Sequence, residues 1–435
     1  MAILKEKFLI KGLGGGKKLK GTIAVGGAKN AALPLMASSI LFKKQVAFEN
    51  IPDIEDIKRM GELLELLGVE VERTAPHSYT LNASKITSGD LDKEIAKRMR
   101  ASVLLTGPLL ARRGSVSFPH PGGCVIGERP IDLFLEGFKK MGAVVEEKGE
   151  RYHISLKPKK KLKGTEIFFR VQSPTATETF IMAGLLAEGR TVLKNCALEP
   201  EVKDLADFLI SCGADIKGAG TTTIEINGGK ELAPPSKPYA VIPDRIEAGS
   251  FLILGALCAE TLEITNCEPS HLESITALLR LAGVKISIGK NKITVSSNKK
   301  TKNNGFRSVS VKTHEYPGFP TDFQAPMSVF LTQASGESLI FETIFEGRLS
   351  YAEDLTRMGA NLTVWDAHRM MIKGPTPLKG RELEAPDIRA GLAYLIAAAV
   401  AKGESVINNV YYIDRGYEAI EKRLRPLGLE IERMQ

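Results

Sequence analysis

The residue best suited to proton or covalent chemistry is Cys124, in the segment PGGCVIGERP, where three glycines and Arg129 flank the thiol. A thiol on a glycine-rich loop can approach a ligand closely, and a neighbouring cation can lower its pKa. The other cysteines, Cys196, Cys212, Cys258 and Cys267, sit in apolar stretches and read as small buried hydrophobes. Cations and carboxylates collect in short polar clusters, each just before an apolar run rich in small residues. These are GAKN with Lys29 and Asn30, KRMRAS with Arg100, QSPTATE, PDRIEAG, PTDFQA with Asp322, and PDIRAG with Asp387 and Arg389. If the runs are helices lying side by side, their positive ends and free amides converge. With Lys29, Arg100, Arg129, Arg389 and Arg415 added, phosphate or carboxylate ligands are expected there. Taken singly, each cation reads as a solvated charge and each aspartate as an N-cap.

The elements that must position these groups recur along the chain. One pattern, apolar positions at helical spacing, a glycine, then an alternating strand, appears around Gly68, Gly142, Gly213, Gly283, Gly359 and Gly428. Successive glycines are 74, 71, 70, 76 and 69 residues apart, so six units of about 72 residues fill the 435-residue chain. Each glycine is placed to end a helix in the left-handed conformation. Upstream of each lies an apolar, small-residue helix followed by a strand, for example GLAYLIAAAVA then SVINN. Helices apolar nearly all round belong inside a domain, and helices with one polar face cover a sheet. The unit is therefore a β/α repeat with one buried and one half-exposed helix.

Departure from the repeat marks function, because scaffold reasons no longer explain it. From the end of the upstream strand to the marker glycine the chain takes 18, 18, 17 and 19 residues in units one, three, four and six, but 24 in unit two. The surplus of roughly six residues falls in the segment from His120 to Pro130 that carries Cys124, which makes it the candidate active-site loop.

Composition sets the bounds: 43% hydrophobic and 25% charged residues are ordinary for a globular protein, and the length suggests two or three domains. The net charge of +8 suits anionic ligands and does not by itself separate a phosphate site from nucleic acid. Five unclustered cysteines without a secretory leader point to a reducing cytoplasm. No apolar run reaches the roughly 18 residues of a membrane span. The segment GLGGGKKLKG lacks the P-loop's first glycine and its Ser or Thr, the six histidines show no metal-ligand spacing, and the lysine run KPKKKLK lacks interleaved aromatics. A resident metal or cofactor is not expected.

Taken together, GAKNAALP, MRAS, LTGPLLAR, PGGCVIGERPIDL, EPEVKDLADFL, VIPDRIEAG, PGFPTDFQA, ETIFE, DIRAG and YIDRGYE resemble the enolpyruvyl transferases, and among them the UDP-N-acetylglucosamine 1-carboxyvinyltransferases of bacterial peptidoglycan synthesis. The resemblance runs in order across nearly the whole chain. It implies an α/β fold, a two-domain inside-out β/α barrel with three repeat units per domain and a ligand cleft between the domains. On this reading residues 28–241 hold units one to three with the cysteine loop 119–130, and residues 1–27 plus 242–435 hold units four to six.

The resemblance also implies roles. Cys124 matches the family's catalytic cysteine, a general acid on C3 of phosphoenolpyruvate that can form a covalent adduct. Lys29, Asn30, Arg129 and Arg415 match phosphoenolpyruvate contacts, with Lys29 and Arg415 also catalytic. Asp322 matches the residue at the sugar 3-hydroxyl and is the expected base. Arg100, Arg129, Pro130, Ile131, Asp132, Leu133, Val171, Gln172, Ser173, Pro174 and Ile344 match UDP-N-acetylglucosamine contacts, and Asp387 and Arg389 match residues that assist closure. The implied partners are these two small molecules, with no nucleic acid and no membrane; oligomeric state stays open, a monomer being plausible. Pro174, Thr175, Gly347 and Phe134 depart from the family's usual residues without removing an acid, a base or a phosphate ligand. The alternatives are 3-phosphoshikimate 1-carboxyvinyltransferase, against which the cysteine loop argues, a nucleic-acid-binding protein on a related fold, and a paralogue with a binding role.

Overall fold

The computed structural model describes residues 6–120, 127, 131–297 and 305–435. All six marker glycines adopt φ between 91° and 105°. Each closes a short amphipathic helix: Glu55–Leu66, Asp132–Lys140, Pro200–Ser211, Glu273–Leu281, Ala352–Arg357, and Ile420–Leu424 with its 3-10 extension Arg425–Leu427. A Cβ in that conformation costs about 1–2 kcal/mol, which is why glycine recurs there.

The small-residue runs form the core helices Lys29–Ser38, Thr106–Arg113, Pro174–Leu185, Arg245–Cys258, Gln324–Leu331 and Ile388–Val400. All fourteen residues of Arg245–Cys258 and all eight of Gln324–Leu331 are buried. A helix buried on every side has no polar stripe, which matches these sequences.

The chain divides into two compact units. Gly27 to Ile242, leaving out Gly127, forms one, and the residues before Gly27 with those from Pro243 to Gln435 form the other. Each has its own hydrophobic core, in which a fully buried Leu or Phe contributes about 1.5–3 kcal/mol. In each unit three core helices lie within three sheets. A typical sheet pairs a short strand in parallel with the strand that follows a core helix, then adds an antiparallel hairpin: Glu166–Phe168, Arg190–Lys194, Thr223–Asn227 and Asp215–Lys217. The sheet of the second repeat keeps three strands, Ser115–Pro119, Arg151–Ser155 and Val144–Lys148, with a single parallel bridge from Asp90 to Ser117 where the fourth would be.

Two devices close the repeats. The strand Lys7–Lys11 enters the last sheet between Glu404–Asn408 and Glu430–Met434, so the sixth unit is completed by the start of the chain. Four units end their post-helix strand on an asparagine with positive φ, Asn50, Asn195, Asn266 and Asn409. The side-chain amide of Asn50 donates to Val241 O at 2.8 Å, that of Asn195 to Phe169 O at 2.9 Å, and that of Asn266 to Val25 O at 2.6 Å. Each bond ties a strand end to the residue that follows its parallel neighbour.

Candidate active site

In the unit from Gly27 to Ile242 the core helices begin without an acidic residue in the first turn. The covering helices, by contrast, carry Glu55 and Asp56, Asp132, and Glu201 there. Acidic first turns neutralise the positive end of a helix, so the core helices keep theirs available to an anion. Lys29 opens the first of them and pairs with Asp56 at 2.8 Å, Asp56 being 3% exposed. Asn30 follows it and is exposed; Arg100 begins the 3-10 turn Arg100–Leu105 and is half-buried.

The stretches 131–133 and 170–174 are brought together by Arg170, whose guanidinium is ion-paired with Asp132 and lies 3.7 Å from Glu136. Ile131 is buried, Leu133 donates its amide to Asp132 Oδ1 at 2.8 Å, and Val171 is exposed. Gln172 donates to Cys196 O at 3.1 Å, and Ser173 caps the helix that starts at Pro174 by accepting from Ala176 N at 3.3 Å. Proline suits the first helical position because its φ is preset. Phe134 is buried, its ring 6.4 Å from that of Phe180, so this departure is a core contact.

In the other unit Asp322 sits in the 3-10 turn Thr321–Phe323 and caps no helix. Its Oδ1 accepts from Arg348 Nη2 at 2.6 Å and its Oδ2 from Arg389 Nη2 at 3.1 Å. Burial pushes the carboxyl up, but Arg389 and Arg348 outweigh it and hold Asp322 far below the usual carboxylate range. Asp387 N-caps the helix Ile388–Val400, accepting from Arg389 N at 2.7 Å and Ala390 N at 3.1 Å. Arg389 also donates to Tyr417 Oη at 3.0 Å, which links Asp322 to the turn holding Arg415, two residues before that tyrosine. Arg415 is half-buried and ends the short helix Tyr411–Asp414. The buried Glu342 accepts from Ile344 N at 2.8 Å, Phe345 N at 3.1 Å and Thr321 Oγ1 at 2.8 Å, and so fixes Ile344 relative to Asp322. Gly249 leaves room for Phe323: a Cβ there would lie 2.3 Å from its ring.

Cys124, Arg129 and Pro130 lie outside the described residues. The four described cysteines are buried, and loss of hydration pushes their thiols up to about 12 for Cys196 and Cys258 and about 11 for Cys212 and Cys267. Burial and the raised thiols favour the protonated, less nucleophilic form. Asp56, Arg170, Glu342, Arg348 and Tyr417 were not among the sequence candidates. Their contacts join residues far apart in the chain, which neither repeat nor spacing announces.

Comparison with known proteins identifies the family. The family model for EPSP synthase (3-phosphoshikimate 1-carboxyvinyltransferase) matches residues 13–424. A UDP-N-acetylglucosamine 1-carboxyvinyltransferase of Koribacter versatilis is 45% identical over 99% of this chain and 96% of its own length, and one of Wolinella succinogenes is 42% identical over 96% and 98%. The crystal structure of the enolpyruvyl transferase NikO from Streptomyces tendae superposes with a TM-score of 0.87 at 25% identity, covering 99% of both chains. EPSP synthase from Acinetobacter baumannii, at 19% identity and a TM-score of 0.71 over 99% of this chain and 100% of its own, shares the fold. From its repeats, its sheets and its relatives alike, the chain belongs to the enolpyruvyl transferase family.

Proposed function

We propose that this protein transfers the enolpyruvyl group of phosphoenolpyruvate to the 3-hydroxyl of UDP-N-acetylglucosamine and releases phosphate, a step of peptidoglycan synthesis. The observation that carries this reading is the end-to-end identity of 41–45% with relatives named for that reaction. The buried state of the other four cysteines supports it, because thiol chemistry then falls to Cys124.

In the addition step the Cys124 thiol gives its proton to C3, the sugar oxygen bonds to C2, and Asp322 takes the hydroxyl proton. In elimination the Cys124 thiolate takes a proton back from C3, the C2–C3 double bond re-forms, and the C2–O bond to phosphate breaks as the proton on Asp322 passes to the departing phosphate. One C–O bond forms at C2, another breaks there and the protons are returned, so the balance needs no redox partner. Lys29, Arg129 and Arg415 stabilise the anionic carboxylate and phosphate as charge develops at C2. Asn30 completes the phosphoenolpyruvate contacts. Arg100, Arg129, Pro130, Ile131, Asp132, Leu133, Val171, Gln172, Ser173, Pro174 and Ile344 hold the nucleotide sugar, and Asp387 and Arg389 assist closure. Among the described residues no helix is long and apolar enough to cross a membrane, and we assign the enzyme to the cytoplasm, with no nucleic-acid partner.

The family model carries the name of the shikimate enzyme, so the acceptor is the point to test. With phosphoenolpyruvate and either UDP-N-acetylglucosamine or shikimate 3-phosphate, mass spectrometry is expected to find an enolpyruvyl ether of the nucleotide sugar alone. An ether formed only on shikimate 3-phosphate would reverse the assignment.

A further inference from the structure

Asp322 is asked to take a proton, yet both of its oxygens are already held by guanidinium groups. The two arginines differ. Arg389 reaches Asp322 at 3.1 Å and is shared with Tyr417. Arg348 makes the shorter contact, 2.6 Å, its side chain is 4% exposed, and its guanidinium carbon lies 5.7 Å from the centroid of the Phe345 ring. Phe345 in turn has its amide bound by Glu342, the carboxylate that also holds Thr321 beside Asp322. Arg348 and Asp322 are therefore anchored to a common buried carboxylate from two sides.

We propose that Arg348 is a positioning residue for the acceptor base: it fixes the Asp322 carboxylate through one oxygen and keeps it ionised, leaving the oxygen on the Arg389 side to meet the sugar hydroxyl. This rests on the function proposed above. Among the described residues, these charged and titratable groups surround Asp322. Arg389 and Arg348 face it directly; Tyr417 and Asp244 lie beyond Arg389, and Tyr351 and Glu342 beyond Arg348. A half-buried Asp322 that loses Arg348 binds its proton more tightly, so it is neutral up to a higher pH and useless as a base there. The charge of a lysine would retain the ionisation without the fixed planar geometry of the guanidinium.

The test is the pH dependence of kcat for transfer to UDP-N-acetylglucosamine in wild type, Arg348→Gln and Arg348→Lys. The glutamine variant is expected to lose at least tenfold in kcat, keep KM for phosphoenolpyruvate within threefold, and move the acid limb up by about one pH unit or more. The lysine variant is expected to return the acid limb to its wild-type position with kcat still at least threefold down. A folded glutamine variant whose acid limb and kcat match wild type overturns the inference alone. Wild-type protein inactive with this acceptor overturns the function reading instead. Should the glutamine variant not fold, the lysine variant decides: wild-type kcat in it contradicts the role, and a loss of threefold or more with the acid limb in place supports it.

Discussion

At the scale of residues, the separation of one cysteine from four others is the sharpest chemical statement the protein makes. Cys196, Cys212, Cys258 and Cys267 are buried with thiols raised by lost hydration, whereas Cys124 lies in a glycine-rich segment with Arg129 close in sequence. In native buffer at neutral pH an aromatic disulfide reagent should therefore modify a single thiol quickly, and Cys124→Ala should abolish that phase while the other four react only after unfolding. Two fast thiols in the wild type, or one in the alanine variant, would contradict this assignment. The sequence singles out Cys124 because its segment breaks a repeat, and that residue lies outside the described ones. The partners of Asp322 and Lys29 were not legible in the sequence, since Arg348 and Asp56 reach them across 26 and 27 residues with no periodic signal.

At the scale of elements, the repeats were legible wherever a residue type is demanded by backbone conformation. The six glycines take the left-handed turn that their position after an amphipathic helix implies, and the small-residue runs are the buried helices. What the sequence hid are the short parallel strands Tyr239–Ala240, Val311–Lys312 and Glu382–Glu384, which at two or three residues are too brief for alternation to register. The asparagines that end the longer strands supply the missing order, because each combines a left-handed backbone with a bond to the neighbouring chain. Asn195→Gly should lose the bond to Phe169 O, about 1 kcal/mol, and Asn195→Ala should add the strain of a Cβ at φ 57°, about another 1 kcal/mol. Thermal melting should then rank wild type above the glycine variant and the glycine variant above alanine; an alanine variant as stable as wild type would refute the brace.

At the scale of the whole molecule, six copies of one unit build two units of three, and the start of the chain supplies an inner strand of the last sheet. The near-regular glycine spacing announced six copies, but no local signal says that Lys7–Lys11 belongs beside Glu404–Asn408, since that pairing spans almost the full chain. Against this regular scaffold the charges are unevenly placed. The core helices of the unit from Gly27 to Ile242 start with Lys29, with a neutral cap, or behind the 3-10 turn that Arg100 opens, whereas in the other unit they start beside Asp244, Asp322 and Asp387, each engaged by an amide or a guanidinium. In the reaction proposed above, the cations of the first set meet anionic substrate groups and Asp322 accepts the hydroxyl proton. The most direct test of that account is phosphate release from phosphoenolpyruvate in the presence of UDP-N-acetylglucosamine, followed for wild type and Cys124→Ala side by side. The account predicts release by the wild type that depends on the nucleotide sugar and is abolished by the substitution; equal release by the folded alanine variant, or none by the wild type, would contradict it.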